Sequence, residues 1–447
     1  MGRVIKIKKG LTIPMNGMAE RIMHKLPLPE FVAVKPTDFF GLTPKLLVNE
    51  GDVVHAGQAL VCDKINSKIV LTAPASGVVH AIERGEKRKL EQIVVKTDAE
   101  IHYKQFAVPE LANATREELI DLMLESGAWL FIKERPYNCI ANPAVQPKAV
   151  YISTFNTAPL AADMSFVMAD DIHDFQKGID VLNILTNKAV HVNFYNEKRS
   201  INPFEKCSGF ESHYFEGKHP AGNVGVQIHH IAPIQKGDVV WTMQPSDVAI
   251  LGRLFSSGTF DVRRTIALTG EVHRPLYVKT ILGAHIPSCF EGRTIEPAMR
   301  IISGDVLTGT NVGANGFIGF FDTQITVIPE VQEPEFMGWL APGISKFSAS
   351  RSFFSWLNVG KQYTLNTAIN GGERAFVFTG IYEKVLPMNI YPMFLLKAIL
   401  TNDIEKMEQL GIYEVVEEDF ALCEYVCPSK IEIQSIIRQG LDMMKLA

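Results

Sequence analysis

Over the first hundred residues, β-branched and other apolar positions come in short runs broken by Gly and Pro: 4–7, 45–48, 59–62, 68–71, 78–82 and 92–96. Runs of this length predict strands, so the region reads as an all-β domain. At Thr115 the period changes. Thr115 and Glu118 have the spacing of a capping box, Leu119, Ile120, Leu122 and Met123 supply an apolar helical face, and Gly127 ends the helix. A strand at 149–153, a helix at about 174–185 and a strand at 189–195 follow, and such alternation predicts an α/β domain with a largely parallel sheet. From about 260 to 330 strands return, at 264–268, 276–279, 300–302 and 324–328, as a small sheet-rich module. Residues 329–334 read as a linker. Beyond it the pattern is helical, with a short helix at 403–410 and a second capping box, Ser429 with Glu432, ahead of Ile433, Ile436, Ile437, Leu441 and Met444. These shifts divide the chain at 1–100, 101–258, 259–330 and 331–447.

Composition removes several function classes. Hydrophobic residues at 47% and charged residues at 21% leave enough apolar surface for several cores in a 447-residue chain, which excludes disorder as an overall reading. A formal charge of −5, without a long Lys/Arg run, argues against nucleic acid as a partner. No apolar stretch reaches the ~18 residues of a membrane span, and the basic start alternates with Val4, Ile5 and Ile7 like a strand rather than a signal peptide. Six scattered cysteines do not form a disulfide framework and fit a reducing compartment. Among the last 47 residues, ten acids face four Lys/Arg, the signature of a solvated or partner-facing tail.

The densest motif runs from Asn49-Glu50-Gly51-Asp52 through His55-Ala56-Gly57-Gln58 to Ala73-Pro74-Ala75-Ser76-Gly77. It resembles the biotinyl/lipoyl barrel-sandwich hybrid fold, whose modified lysine lies about eight residues before the proline. Here that position holds Asn66 beside Ser67, between Lys64 and Lys68. Neither an amide nor a hydroxyl can carry the prosthetic group in amide linkage, so the module is expected to be structural. A biotin- or lipoyl-type carrier is the alternative.

Further motifs are Ile7-Lys8-Lys9-Gly10-Leu11, Thr157-Ala158-Pro159-Leu160-Ala161-Ala162-Asp163, His219-Pro220-Ala221-Gly222, Ile302-Ser303-Gly304, Asn370-Gly371-Gly372-Glu373-Arg374-Ala375 and Leu422-Cys423-Glu424-Tyr425-Val426-Cys427-Pro428. Together they resemble the A subunits of Na+-translocating NADH:quinone oxidoreductases, over nearly the whole chain. The resemblance implies four parts: a barrel-sandwich hybrid, a Rossmann-like α/β domain, a β-grasp module of the soluble-ligand-binding type, and a helical domain descended from an iron–sulfur domain. It also implies a peripheral subunit on the cytoplasmic face of the bacterial inner membrane, partnered by membrane subunits. In such a complex NADH oxidation and quinone reduction are coupled to Na+ export, with FMN, FAD and iron–sulfur centres on partner subunits.

Related flavin-bearing subunits bind FMN at a glycine-rich turn, because only glycine lets backbone N–H groups approach a phosphate closely. Here that turn is Gly127-Ala128-Trp129-Leu130-Phe131-Ile132-Lys133, with one glycine and two bulky rings. The relatives' Asn pair aligns with His229-His230 and their Glu-bearing segment with Phe155-Asn156-Thr157-Ala158-Pro159. Of a four-thiolate cluster run, only Cys423-x₃-Cys427-Pro428 remains. The chain is therefore expected to bind no flavin and no cluster of its own; a free-standing NADH:flavin oxidoreductase is the rival and needs the lost glycines and thiols. The family implies a quinone-related role, for which His219, Pro220, Gly222 and His230 are the candidates, His219 or His230 donating to a carbonyl oxygen. Cys207, His213, His219, His229 and His230 fall within 24 residues, but gaps of five, five and nine do not match a zinc module, so no metal ligands are assigned.

Overall fold

The computed structural model describes residues 4–196, 202–290, 298–331, 342–344, 346–358, 360–377 and 380–446. Among the described residues, four β-sheets and a helical region form the fold. The largest sheet has seven strands in the spatial order Val4–Ile7, Glu211–Gly217, Val190–Tyr195, Val150–Ser153, Val240–Met243, Lys133–Arg135 and Cys139–Ile140. The first five run parallel, and Lys133–Arg135 pairs antiparallel with both Val240–Met243 and Cys139–Ile140. Its two faces follow from the period-two pleat. Val150, Ile152, Val190 and Val192 pack with Phe175, Ile179 and Leu182 of the helix Ile172–Thr186 and with Leu251 of the helix Pro245–Ser257. Tyr151 and Val240 turn the other way, onto Ile228 of the helix Val224–Ile231.

The helix Arg116–Ser126 starts as its spacing predicts. Glu118 N–H donates to Thr115 Oγ1, the Glu118 carboxylate accepts from Thr115 N–H, and Gly127 follows at φ +84°.

Residues 31–97 form the hybrid barrel from two antiparallel sheets. One orders Phe31–Val34, Leu90–Thr97, Gly77–Arg84 and Val53–Val54; the other orders Pro44–Leu46, Ala59–Asp63 and Val70–Thr72. Val32, Val54, Leu60, Leu71, Val79 and Ile93 fill the space between them. The strand preceding the barrel departs from the expected grouping. Val4–Ile7 lies at the edge of the seven-stranded sheet, and Glu20–Lys25 adds a parallel edge to Leu276–Ile281 in a six-stranded sheet completed by Arg263–Gly270, Gln324–Pro329, Met299–Ser303 and Thr310–Asn311. Alternation identifies a strand but does not name its sheet, and an edge ladder accepts any extended segment that reaches it.

In the helical region, Pro392–Leu400, Ile404–Gln409, Ala421–Val426 and Ile433–Leu446 share a core of Leu395, Leu396, Ile399, Met407, Leu422, Ile437 and Leu441. The second capping box is not formed. The last helix begins at Ile433, four residues beyond Ser429, whose hydroxyl donates to the Ala375 carbonyl at 3.0 Å. Glu424 caps instead, accepting from Gln434 N–H at 2.7 Å. Residues 332–334 of the expected linker lie outside the described residues.

Candidate functional site

In open α/β sheets, side chains for binding collect at the carboxyl ends of parallel strands, where the strand order reverses. Here the chain leaves Val150–Ser153 for Val190–Tyr195 and Glu211–Gly217 on one side, then returns to Val240–Met243 on the other. At the end of the central strand, Ser153 Oγ lies 2.8 Å from the Phe155 carbonyl and 3.1 Å from the Gly222 carbonyl, and accepts from Gln227 Nε2 at 2.8 Å. Gln227 Oε1 in turn accepts from Asn193 Nδ2 at 2.7 Å. Thr157 Oγ1 accepts from Gly222 N–H at 2.9 Å and stands 3.2 Å from His219 Nδ1. With its own hydrogen directed at Nδ1, the hydroxyl serves both partners and leaves the imidazole proton on Nε2.

This turn needs glycine at 222, because a Cβ there would lie 2.6 Å from Thr157 N and 2.9 Å from Asn156 Cα. Burial pushes His219 down to about 4, against the opposing pull of Glu418, so its ring is neutral at neutral pH.

A second, charged layer lies beside it. Arg135, 2% exposed, donates to Glu418 at 2.6 Å and to buried Asp419 at 3.3 Å, and Asn223 Nδ2 donates to the Glu418 carbonyl at 3.0 Å. Burial raises Asp419 to about 6 although Arg135 opposes it. Asp247, paired with Arg264 at 2.5 Å, is likewise raised to about 6 by burial. Lys133 Nζ sits 3.7 Å from the Phe321 ring centroid, and burial lowers its pKa against the pull of Glu418 and Asp247.

The predicted residues are brought together only in part. His219, Pro220 and Gly222 form one buried turn. His230 is exposed, its Nδ1 2.9 Å from the Val226 carbonyl and its ring against His229; among the described residues no hydrogen bond or ring contact joins it to His219. His229 is a clamp: Nε2 accepts from Asn389 N–H at 3.1 Å, and Nδ1 meets Glu414 at 2.6 Å. Cys207 Sγ faces the Ile172 carbonyl, 3.9 Å away, and His213 pairs with His191 on the neighbouring strand. Thr157, Gln227 and Arg135 carry the network, yet the sequence marks none of them for it. Thr157 belongs to both the motif 157–163 and the segment 155–159, the signals that could have found it.

The turn where a flavin phosphate would lie is filled. Ala128, Trp129, Leu130 and Phe131 are all buried; Trp129 Nε1 donates to the Ala141 carbonyl at 2.7 Å, and its ring meets Trp241 edge-on at 5.4 Å. Thr72 of the hybrid barrel closes the turn from outside, its Oγ1 2.8 Å from where a Gly127 Cβ would be. A cavity of about 10 Å³ between Gly127, Leu130, Thr72 and Phe320 is water-sized. These residues do not fit a flavin phosphate. Cys423 and Cys427 are buried thiols in the helical core, Cys427 Sγ 3.0 Å from Tyr382 Oη and Cys423 Sγ 3.9 Å from the Tyr382 carbonyl, and burial drives the Cys423 thiol far up. Two thiols packed in this way do not fit a four-thiolate cluster.

Comparison with known proteins matches this architecture. Residues 5–98 match the NqrA N-terminal barrel-sandwich hybrid domain, 114–260 the NqrA second alpha/beta domain and 265–314 the NQRA C-terminal domain. The chain is 38% identical over 446 residues to the A subunit of the Na(+)-translocating NADH-quinone reductase of Neisseria meningitidis serogroup B, covering 99% of both chains. It is 37% identical to the protein of the same name from Yersinia pestis bv. Antiqua, again over 99% of both. A solved NAD+-reducing [NiFe]-hydrogenase in the air-oxidized state is similar at TM-score 0.39 and 9% identity, over 76% of this chain and 62% of that one, too remote to bear on the argument. With this identity sustained over the full length, the chain belongs to the family of Na(+)-translocating NADH-quinone reductase A subunits.

Proposed function

We propose that this chain is the peripheral A subunit of a redox-driven sodium pump, held to membrane subunits at the cytoplasmic face, while NADH oxidation, flavins and iron–sulfur centres reside on its partners. On this reading a Rossmann-like domain and a β-grasp module are retained as scaffold without their ancestral flavin and NADH sites. The observation that carries the docking role is apolar surface. Ile344, Phe354, Trp356 and Leu357, and separately Tyr391, Phe394 and Leu400, are at least half exposed, and clustered exposed aromatics mark partner surfaces rather than water-facing ones. Among the described residues no helix is long and apolar enough to cross a membrane, so attachment through partners is the simpler route.

The hybrid barrel supports a structural reading over a carrier. At its hairpin tip Asn66 N–H donates to Asp63, and Lys68 is tied to Asp121 of the helix Arg116–Ser126 at 3.1 Å, which binds the tip to the α/β domain. For a quinone-related role, the His219-Pro220-Ala221-Gly222 turn is the candidate, with a neutral His219 as hydrogen-bond donor through Nε2; His230 would contribute only as a surface group.

Gentle detergent extraction of the native membrane tests the assignment. The chain should co-purify with membrane subunits, and the chain alone should bind liposomes weakly and show no flavin or cluster absorbance between about 350 and 500 nm. Equal binding to protein-free liposomes, or stoichiometric flavin or iron in anaerobically prepared chain with NADH-dependent bleaching, would overturn it.

A further inference from the structure

At the amino-terminal ends of two central strands, away from the His219 turn, a second group of ligating side chains converges. Val190–Tyr195 and Glu211–Gly217 run parallel with His191 in register with Glu211. The period of two then puts His213 on the same face as Glu211, beside His191. His191 Nδ1 is 3.0 Å from His213 Nε2 and 3.4 Å from a Glu211 carboxylate oxygen, and one ligating atom from each of the three residues lies within 4.8 Å of the others. We propose that His191, Glu211 and His213 form a binding site for a divalent transition-metal ion of the zinc class, with the remaining coordination position open to water.

The distances carry the argument. Around a metal bound at about 2.0–2.2 Å, neighbouring ligand atoms stand roughly 3.0 Å apart at right angles and roughly 3.4 Å apart at the tetrahedral angle. The two separations from His191 Nδ1 fall on those edges, so an ion could be accommodated by side-chain rotation with the strands left in place. Two nitrogens and one carboxylate oxygen are wrong for Na+, Mg2+ or Ca2+, which take oxygen, and right for Zn2+, Co2+ or Ni2+.

The scaffold is already ordered. The Tyr151 ring stacks on His191 at 4.7 Å and 16°, which fixes the imidazole plane against the sheet. Glu211 is 64% exposed on its side chain and can swing to the ion at little cost. A plain His–His hydrogen bond would account for the 3.0 Å contact; it does not call for a carboxylate at the third corner.

Calorimetric titration of Zn2+ into the untagged, metal-stripped full chain tests the site, with Co2+ as a visible reporter of histidine ligation. One site with Kd at or below about 10 µM is expected. His213→Ala should weaken it by roughly 100-fold and the exposed Glu211→Gln by roughly 10-fold, with His230→Ala unchanged. Since Glu211 is a surface side chain, Glu211→Gln should keep the fold and its result stands alone. No saturable binding below about 1 mM, full affinity in Glu211→Gln, or loss of binding in His230→Ala would each overturn the proposal.

Discussion

Two turns at one end of the seven-stranded sheet have been built in opposite ways. Lys133 is in register with Thr242 at the carboxyl end of Val240–Met243, so the turn 127–132 sits at the same end as the loops around Ser153 and His219. The first turn is closed with bulk: Trp129 and Phe131 are buried, and Thr72 packs over Gly127. The second keeps polar groups close to one another, with Thr157, His219, Gly222, Ser153 and Gln227 joined by hydrogen bonds. A phosphate site depends on open backbone N–H groups, which two side chains can cover without disturbing the sheet. A hydrogen-bonded polar turn depends on every partner, and losing one leaves the others unpaired.

The largest expected effect lies on the filled turn. Trp129→Ala should lower the unfolding free energy by about 3–5 kcal/mol, because it opens a cavity against Trp241 and leaves the Ala141 carbonyl without its donor. Urea unfolding measures it. A cost under about 1 kcal/mol would mean that the turn is not part of the core.

The polar turn should show itself through acid. His219 titrates at about 4 in the folded chain, below the ordinary value of 6.5. Below pH 6.5 the unfolded chain takes up a proton that the folded chain refuses until about pH 4. This contribution therefore favours folding fully above 6.5 and is lost as the pH falls toward 4, by roughly 2 kcal/mol between pH 7 and pH 5. Asp38, Asp247 and Asp419, each raised to about 6, act in the opposite direction over the lower part of that range. Comparison with His219→Gln isolates the histidine: the stability difference between wild type and variant should shift by roughly 2 kcal/mol, in favour of the variant at pH 5. A difference independent of pH would mean that His219 is not held neutral.

How far these features can be read in the chain depends on the distance between partners. The helix Arg116–Ser126 is legible because Thr115 and Glu118 lie three residues apart, and the hybrid barrel because its glycines sit in a local motif. Ser429 and Glu432 have the same local spacing and fail, since the helix start is set by packing and by Glu424 from the preceding helix. Arg135 and Asp419 are 284 positions apart, and Thr157 and His219 are 62 apart; no local pattern announces such pairs. The His191 cluster escapes the sequence for a related reason. Spacing within 207–230 contains Glu211 and His213, whereas the sheet supplies His191 from the neighbouring strand.

One substitution made at both turns gives the smallest and sharpest test. Thr157→Val keeps the shape of the side chain but leaves Gly222 N–H and His219 Nδ1 without their shared partner, and should cost about 1.5–2 kcal/mol. Thr72→Val removes a single hydrogen bond, from Thr72 Oγ1 to the Ser126 carbonyl at 3.1 Å, at the end of the helix Arg116–Ser126. A carbonyl tolerates the loss of one partner better than an amide N–H does, and valine suits the strand Val70–Thr72, so about 1 kcal/mol or less is expected. Both variants make the same Thr→Val change, one at each turn, and denaturant midpoints at equal m-values compare their costs. If Thr72→Val proved the costlier of the two, the filled turn would owe its closure to hydrogen bonding rather than to packing, and the distinction between the two turns would fail.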